Sequence, residues 1–357
     1  MSYQEFETES YDIHARRMIR RLVDMVEVKP GEHVLIVADF ATERKLIDGF
    51  AHCVVDAGGI PTMVIMPNAG WDPCPYALTK PAAKAYLGAD VFIGITASSP
   101  AATWGLTDEI RKYKVVEKKL RGMNITEYPF KTYGIFDHPD EEHLEMWKNA
   151  EKIARIILNG KKSRITSKAG TDITAEIYGL GVECLLHISP EEFHPEYPKH
   201  RWGPVPPGGH VNLGCEVDWV PVYGTAEGTV VWDGPVGCVC KDHDEPIILT
   251  VEKSRVMKVK GGAEARIFKQ LLSKHKNADQ IVEMSIGLTP WWVKDGCIRT
   301  ERKGLGNAHV TCGGWSPVVL GSGYLTVEPY IHMDGTIYHA TLEIDGKKIV
   351  DDGEILV

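Results

Sequence analysis

The first part of the chain alternates two periods. Residues 11–26, YDIHARRMIRRLVDMV, carry apolar positions at helical spacing and predict an amphipathic helix. A Pro-Gly turn then introduces a short apolar run within residues 30–39, PGEHVLIVAD, which predicts a buried strand. Residues 43–59, ERKLIDGFAHCVVDAGG, return to helical spacing and close on a Gly-Gly stop. IPTMVIMP follows as a second strand, and GADVFIGITAS, residues 88–98, as a third. Strand, helix and strand in succession predict a parallel sheet covered by helices. No G-x-G-x-x-G follows the first strand, so the dinucleotide-binding fingerprint is absent. The pattern EEHLEMWKNAEKIARIILNG, residues 141–160, predicts a helix that stops at Gly160. The boundary placed there divides an α/β domain, 1–160, from a second domain, 161–357.

Past that point the period changes to two. SRITSKAGTDITAEIYG, residues 163–179, alternates β-branched and polar residues around an AGTD turn, as a hairpin does. GTAEGTVVWDGPVG, PIILTVEKSRVMKVKGG, QIVEMSIGLTP and TIYHATLEIDGKKIVDDG also read as strands, with one helical interruption, AEARIFKQLLSKH, at 263–275. Cys238 and Cys240 fall two apart and are expected on one face of a strand. Residues 189–210, SPEEFHPEYPKHRWGPVPPGGH, are rich in Pro, Gly and His and follow neither period. A loop of that length suits a functional lid. The fold expected is thus an α/β N-terminal domain with a parallel sheet, plus a β-rich α+β C-terminal domain.

Composition narrows the class of protein. Of 357 residues, 43% are hydrophobic and 25% charged, the proportions of an ordinary globular chain. The formal net charge of −9, with no Lys/Arg-rich block, argues against nucleic acid or an anionic membrane as partner. The acidic N-terminus has no signal-peptide core, and no stretch reaches the roughly 20 apolar residues of a membrane span. Eight cysteines without a CxxC pair read as reduced thiols, which predicts a cytoplasmic location.

Candidate chemistry gathers in the second domain. In YIHMDGTIYHA, residues 330–340, strand geometry puts His332 and Asp334 on one side and Met333 on the other. Glu283 interrupts the otherwise apolar QIVEMSIGL and falls on the face opposite Val282, Met284 and Ile286. Glu216 sits among apolar and aromatic residues in VNLGCEVDWVP, and His309 sits in the glycine-rich GLGNAHVTCGGW. Two imidazoles and three carboxylates are the donor types for two divalent cations, Zn, Mn, Co or Fe, which would activate a water for hydrolysis. One ion held by two histidines and a carboxylate would instead suit Fe(II) and oxygen chemistry.

The pieces NLGCEV, AEGTVV, EMSIGLTP, GNAHVTCGG and HMDG resemble the M29 metallo-aminopeptidases, the aminopeptidase T group. That resemblance implies dinuclear ligation by Glu216, Glu283, His309, His332 and Asp334, with Glu216 or Glu283 shuttling a proton. It also implies a homo-oligomer. The closing YHATLEIDGKKIVDDGEI and the chain length are closer to a second branch of the same superfamily, the 2,5-dihydroxypyridine 5,6-dioxygenases with one Fe(II). Glu283, His309 and Ser98 depart from the pattern of that branch, and Ser316 stands where the aminopeptidases carry a tyrosine. The function expected first is hydrolysis of a small amide, peptide or heterocyclic amide. The alternative is ring opening of a hydroxylated N-heterocycle. Trp291, Trp292 and Trp315, with Trp219, are candidate walls for a flat substrate, and His194, His200 and Trp202 are candidate lid contacts.

Overall fold

A computed structural model describes residues 3–67, 78–97, 110, 120–125, 128–183, 213–314, 323–328 and 330–357. The chain forms two compact units, one built mainly from residues up to His143 and the other mainly from Leu144 onward. The division falls inside the helix Asp140–Asn159.

The first unit carries a parallel sheet of β1 (His33–Asp39), β2 (Ile60–Met66), β3 (Val91–Gly94) and β4 (Arg121–Asn124), in the order β2-β1-β3-β4. All three pairings are parallel. The unbroken run Val34–Val37 is buried because β1 lies between two neighbours and both of its faces are covered. Each such side chain contributes about 1.5–3 kcal/mol relative to exposure. Between β1 and β2 runs the helix Arg44–Asp56, and Gly58 at φ +84° ends it in the left-handed conformation that glycine adopts without strain. Three elements of this unit have no counterpart in the sequence reading, one of them the short helix Phe130–Ile135. The short strand β4, RGMN, has no apolar run, and the helix Lys80–Tyr86 is set by Thr79, whose hydroxyl accepts from the amide of Ala82. The first helix runs Tyr3–Met25, beginning eight residues ahead of the predicted start.

The second unit is a large antiparallel sheet. Its strands are β5 (Lys162–Ser167), β6 (Asp172–Glu183), β7 (Glu216–Pro221), β8 (Glu227–Trp232), β9 (Ile247–Glu252), β10 (Arg255–Lys260), β11 (Ile281–Gly287), β12 (Ala308–Gly313), β13 (His332–Ile337), β14 (Ala340–Ile344), β15 (Lys347–Asp351) and β16 (Glu354–Ile355). The main path runs β13-β12-β11-β7-β6-β5-β14-β15-β16, and β8 joins β6 to the β9–β10 hairpin. The AGTD turn connects β5 to β6, as the alternation predicted, and Asp172 at its end pairs with Arg164 at 2.8 Å. Cys238 and Cys240 are not in a strand. They lie in a turn closed by the Val236–Cys240 bridge, with Cys238 at φ +63°. Among the described residues no helix is long and apolar enough to cross a membrane.

Candidate metal centre

Four neighbouring strands, β7, β11, β12 and β13, present their polar residues to one side. The register sets Asp218 opposite Ser285, Ser285 opposite His309, Glu283 opposite Thr311, and Thr311 opposite Asp334. His332 lies two residues before Asp334 and Glu216 two before Asp218, so the period of two brings each pair onto this face. The opposite face of the same strands is core: Met284, Ile286, Val310, Cys312 and Met333 are fully buried. The sequence reading gave Glu283 a polar strand face. That face is no more solvated than the apolar one, since all seven residues of β11 are buried.

Two close approaches shape the face. A methyl at Gly335 would overlap the indole of Trp232, so the glycine behind His332 and Asp334 lets β13 lie against that ring. A methyl at Gly287 would overlap the backbone of Arg302, Lys303 and Gly304. That segment is further clamped by Thr289, whose amide donates to the Lys303 carbonyl at 2.8 Å and whose carbonyl accepts from the Leu305 amide at 2.8 Å. The clamp delivers two side chains absent from the sequence reading, Arg302 and Lys303.

Five residues singled out from sequence converge with these two cations. His309 Nε2 lies 2.9 Å from Glu283 Oε1, and His332 Nε2 lies 2.9 Å from Asp334 Oδ1 and 3.4 Å from Glu283 Oε2. Arg302 donates to Asp334 and, at 2.9 Å, to Glu216 Oε1, and Lys303 reaches the same Glu216 oxygen at 3.0 Å. Glu216 Oε2 faces His309 Nδ1 at 3.5 Å. The Thr311 hydroxyl donates to Asp334 Oδ1 at 2.8 Å. His332 Nδ1 meets the Gly314 carbonyl at 2.8 Å, and only a protonated Nδ1 can donate there. Its Nε2 is then the ring nitrogen that faces Glu283 and Asp334. His332 is the most exposed member, with 16% of its side chain open, whereas His309, Glu216 and Lys303 are fully buried.

Burial and charge polarise the cluster. The Glu283 carboxyl is pushed well up, by desolvation first and then by Asp218 and Asp334. Desolvation and then Arg302 hold His309 well below the usual imidazole range. Burial pushes Asp334 up too, but Arg302, His332 and His309 outweigh it and hold the carboxyl well down.

This environment fits a divalent ion. Glu283 Oε2 is buried and no hydrogen bond reaches it, which an ion would remedy. Donor atoms of Glu283, His309 and Asp334 lie within 4.8 Å of one another, and His332 Nε2 faces two of these residues. Glu216, Asp218 and His309 form a second close trio.

The aromatic candidates divide. Trp219 lies on the opposite face of β7 from Glu216 and donates to Ser163 Oγ at 2.9 Å, so it belongs to the core rather than to a substrate wall. Trp292 is half-buried, stacks on Tyr338 with ring centroids 6.0 Å apart, and packs over Gly304 behind the Arg302–Lys303 segment. Trp291 beside it is half-buried. His194, His200, Trp202, Trp315, Ser98 and Ser316 lie outside the described residues. Arg302, Lys303 and Asp218 were missed. EVD repeats the i, i+2 spacing of HMD, and RK is a pair of charges in a turn otherwise rich in glycine, so both signals were present in the sequence.

Comparison with known proteins places these observations in a family. No curated protein matches the sequence. The family model NicX, 2,5-dihydroxypyridine 5,6-dioxygenase, matches residues 14–357. Among solved structures, 2,5-dihydroxypyridine dioxygenase from Pseudomonas putida KT2440 is similar with TM-score 0.70 and 15% identity, over 97% of this chain and 98% of that one. Wild-type AmpT from Thermus thermophilus is similar with TM-score 0.63 and 14% identity, over 97% of this chain and 100% of the other. At such identities the two structures share the fold.

Proposed function

The chain belongs to the 2,5-dihydroxypyridine 5,6-dioxygenase family, a family of enzymes, and on that premise we propose that it opens the ring of a hydroxylated N-heterocycle with O2 at one divalent iron. The family match over residues 14–357 carries this reading, and it reverses the order of the two functions expected from sequence. The hydrolase reading is supported by the likeness to AmpT and by the second donor trio, Glu216, Asp218 and His309.

Glu283, His309, His332 and Asp334 are the residues that would hold the ion. Iron(II), once bound, would supply a centre for oxygen chemistry, for which histidines with carboxylate are recurrent donors. The protein's part is to fix those donors. The Gly314 carbonyl sets the tautomer of His332, Thr311 orients Asp334, and Arg302 keeps Asp334 ionised. Buried His309 stays neutral, because desolvation and the nearby guanidinium both oppose its protonation. The partly open His332 marks the side from which a substrate would approach.

The test is oxygen uptake by protein purified without air and reconstituted with Fe(II), using 2,5-dihydroxypyridine and related hydroxypyridines. The expected result is one O2 consumed per ring lost, followed by the fall of ring absorbance. Release of amine or carboxylate from small amides under argon, with no oxygen uptake on any hydroxypyridine, would overturn the reading in favour of hydrolysis.

A further inference from the structure

We propose that Arg302 and Lys303 stand, as fixed protein cations, in the place of a second divalent ion, and so limit the centre to one. The proposal rests on the one-ion reading above and names what enforces it. Among the described residues, four buried carboxylates, Glu216, Asp218, Glu283 and Asp334, share this strand face with two buried cations, Arg302 and Lys303. Once a bound ion ionises all four carboxyls, two negative charges remain, the charge of one divalent ion. A second ion would leave the buried cluster doubly positive, and like charges in a dry interior repel strongly.

The positions agree with the charge count. A second ion would draw on Glu216, Asp218 and His309, whose donor atoms lie within 4.8 Å of one another. Glu216 Oε1 already receives Arg302 at 2.9 Å and Lys303 at 3.0 Å. Arg302 also spans from Glu216 on β7 to Asp334 on β13, the two outer strands of the four. Neither cation reaches in from the surface on a free stem. Both are 3% exposed or less, and their backbone is clamped by Gly287 and Thr289. An arginine and a lysine together carry the charge of one divalent ion, but they cannot activate water. The substitution therefore keeps the electrostatics of a dinuclear centre and removes half of its chemistry.

The test counts ions without substrate or oxygen. Protein stripped by a chelator is titrated with Mn2+, the bound metal is measured by elemental analysis, and the electron paramagnetic resonance spectrum is recorded. Wild type is expected to bind one Mn2+ per chain with the spectrum of an isolated ion. The double variant Arg302→Met/Lys303→Met is expected to bind two, with an exchange-coupled spectrum. Two coupled ions in wild type, or one ion in a double variant whose circular dichroism is native, would overturn the proposal. Glu216→Gln/Lys303→Met removes one charge of each sign and guards against loss of folding in the first variant. It should still bind one Mn2+, and loss of that ion would overturn the proposal by making Glu216 a ligand. Wild type with one ion but no oxygen uptake would sink the ring-opening reading and leave this one standing.

Discussion

Replacing Glu283 by glutamine should make the ion-free protein more stable while removing its capacity to hold metal. The carboxyl is buried, no hydrogen bond reaches its Oε2, and its pKa is pushed up by desolvation, Asp218 and Asp334. A buried polar atom left unsatisfied costs about 1–3 kcal/mol. Glutamine has the same shape. Its carbonyl can accept from His309 Nε2, where Glu283 Oε1 now lies at 2.9 Å. Its neutral amide would face His332 Nε2, now 3.4 Å from Oε2, without the desolvation that the carboxylate meets there. The gain should be about 1–3 kcal/mol, and for a unit of some 200 residues each kcal/mol moves Tm by roughly 2–4 °C. The pH dependence fixes the sign. A raised carboxyl binds its proton more tightly in the native state, so ion-free wild type loses stability as pH climbs past the ordinary value of 4.5 toward the raised one. The Glu283→Gln protein lacks that loss, and its advantage should therefore grow from pH 4 to pH 7. Thermal melts of stripped protein over that range, with and without Mn2+, measure both effects. Wild type should gain Tm on adding the ion, and the variant should gain little. A variant that melts below wild type at pH 7, or one that gains as much from Mn2+, would refute the account of Glu283 as a group destabilised until an ion arrives.

Three further outcomes follow from the same geometry. Thr311→Val removes the hydroxyl that orients Asp334 at 2.8 Å, and should weaken Mn2+ binding by about 10–100-fold in a calorimetric titration while leaving Tm of the stripped protein within a few degrees. Gly335→Ala drives a methyl into the Trp232 indole and should cost about 1–3 kcal/mol in urea unfolding, with ion binding lost in proportion as β13 shifts. Trp219→Phe leaves Ser163 without its indole donor and should destabilise by about 1–3 kcal/mol, yet leave metal affinity unchanged because Trp219 is on the far side of β7.

The elements that could be read from sequence are those whose pattern records burial on one or both faces. β1 and the helix Arg44–Asp56 announce themselves by an apolar run and an amphipathic repeat. The strand β4 does not, because its polar RGMN is held in place by parallel pairing to β3, and no local pattern encodes a partner. The same distinction runs through the site. His332 and Asp334 were legible because a period of two is local, and Glu283 because a charge in an apolar strand is conspicuous. What decides the chemistry was not local. Whether Glu216 answers to an ion or to a guanidinium depends on a segment some 86 residues further on, delivered to β11 by the missing side chain of Gly287. Five residues of the right donor types were enough to suggest two ions. The two cations beside them and the carboxylate of Asp218, seen once the strands are in register, set the charge balance on which the one-ion proposal rests. A donor list read without its neighbouring cations therefore leaves out part of the charge that a metal would meet. In this fold, which the two solved neighbours share, that buried charge bears on how many divalent ions the strand face can hold.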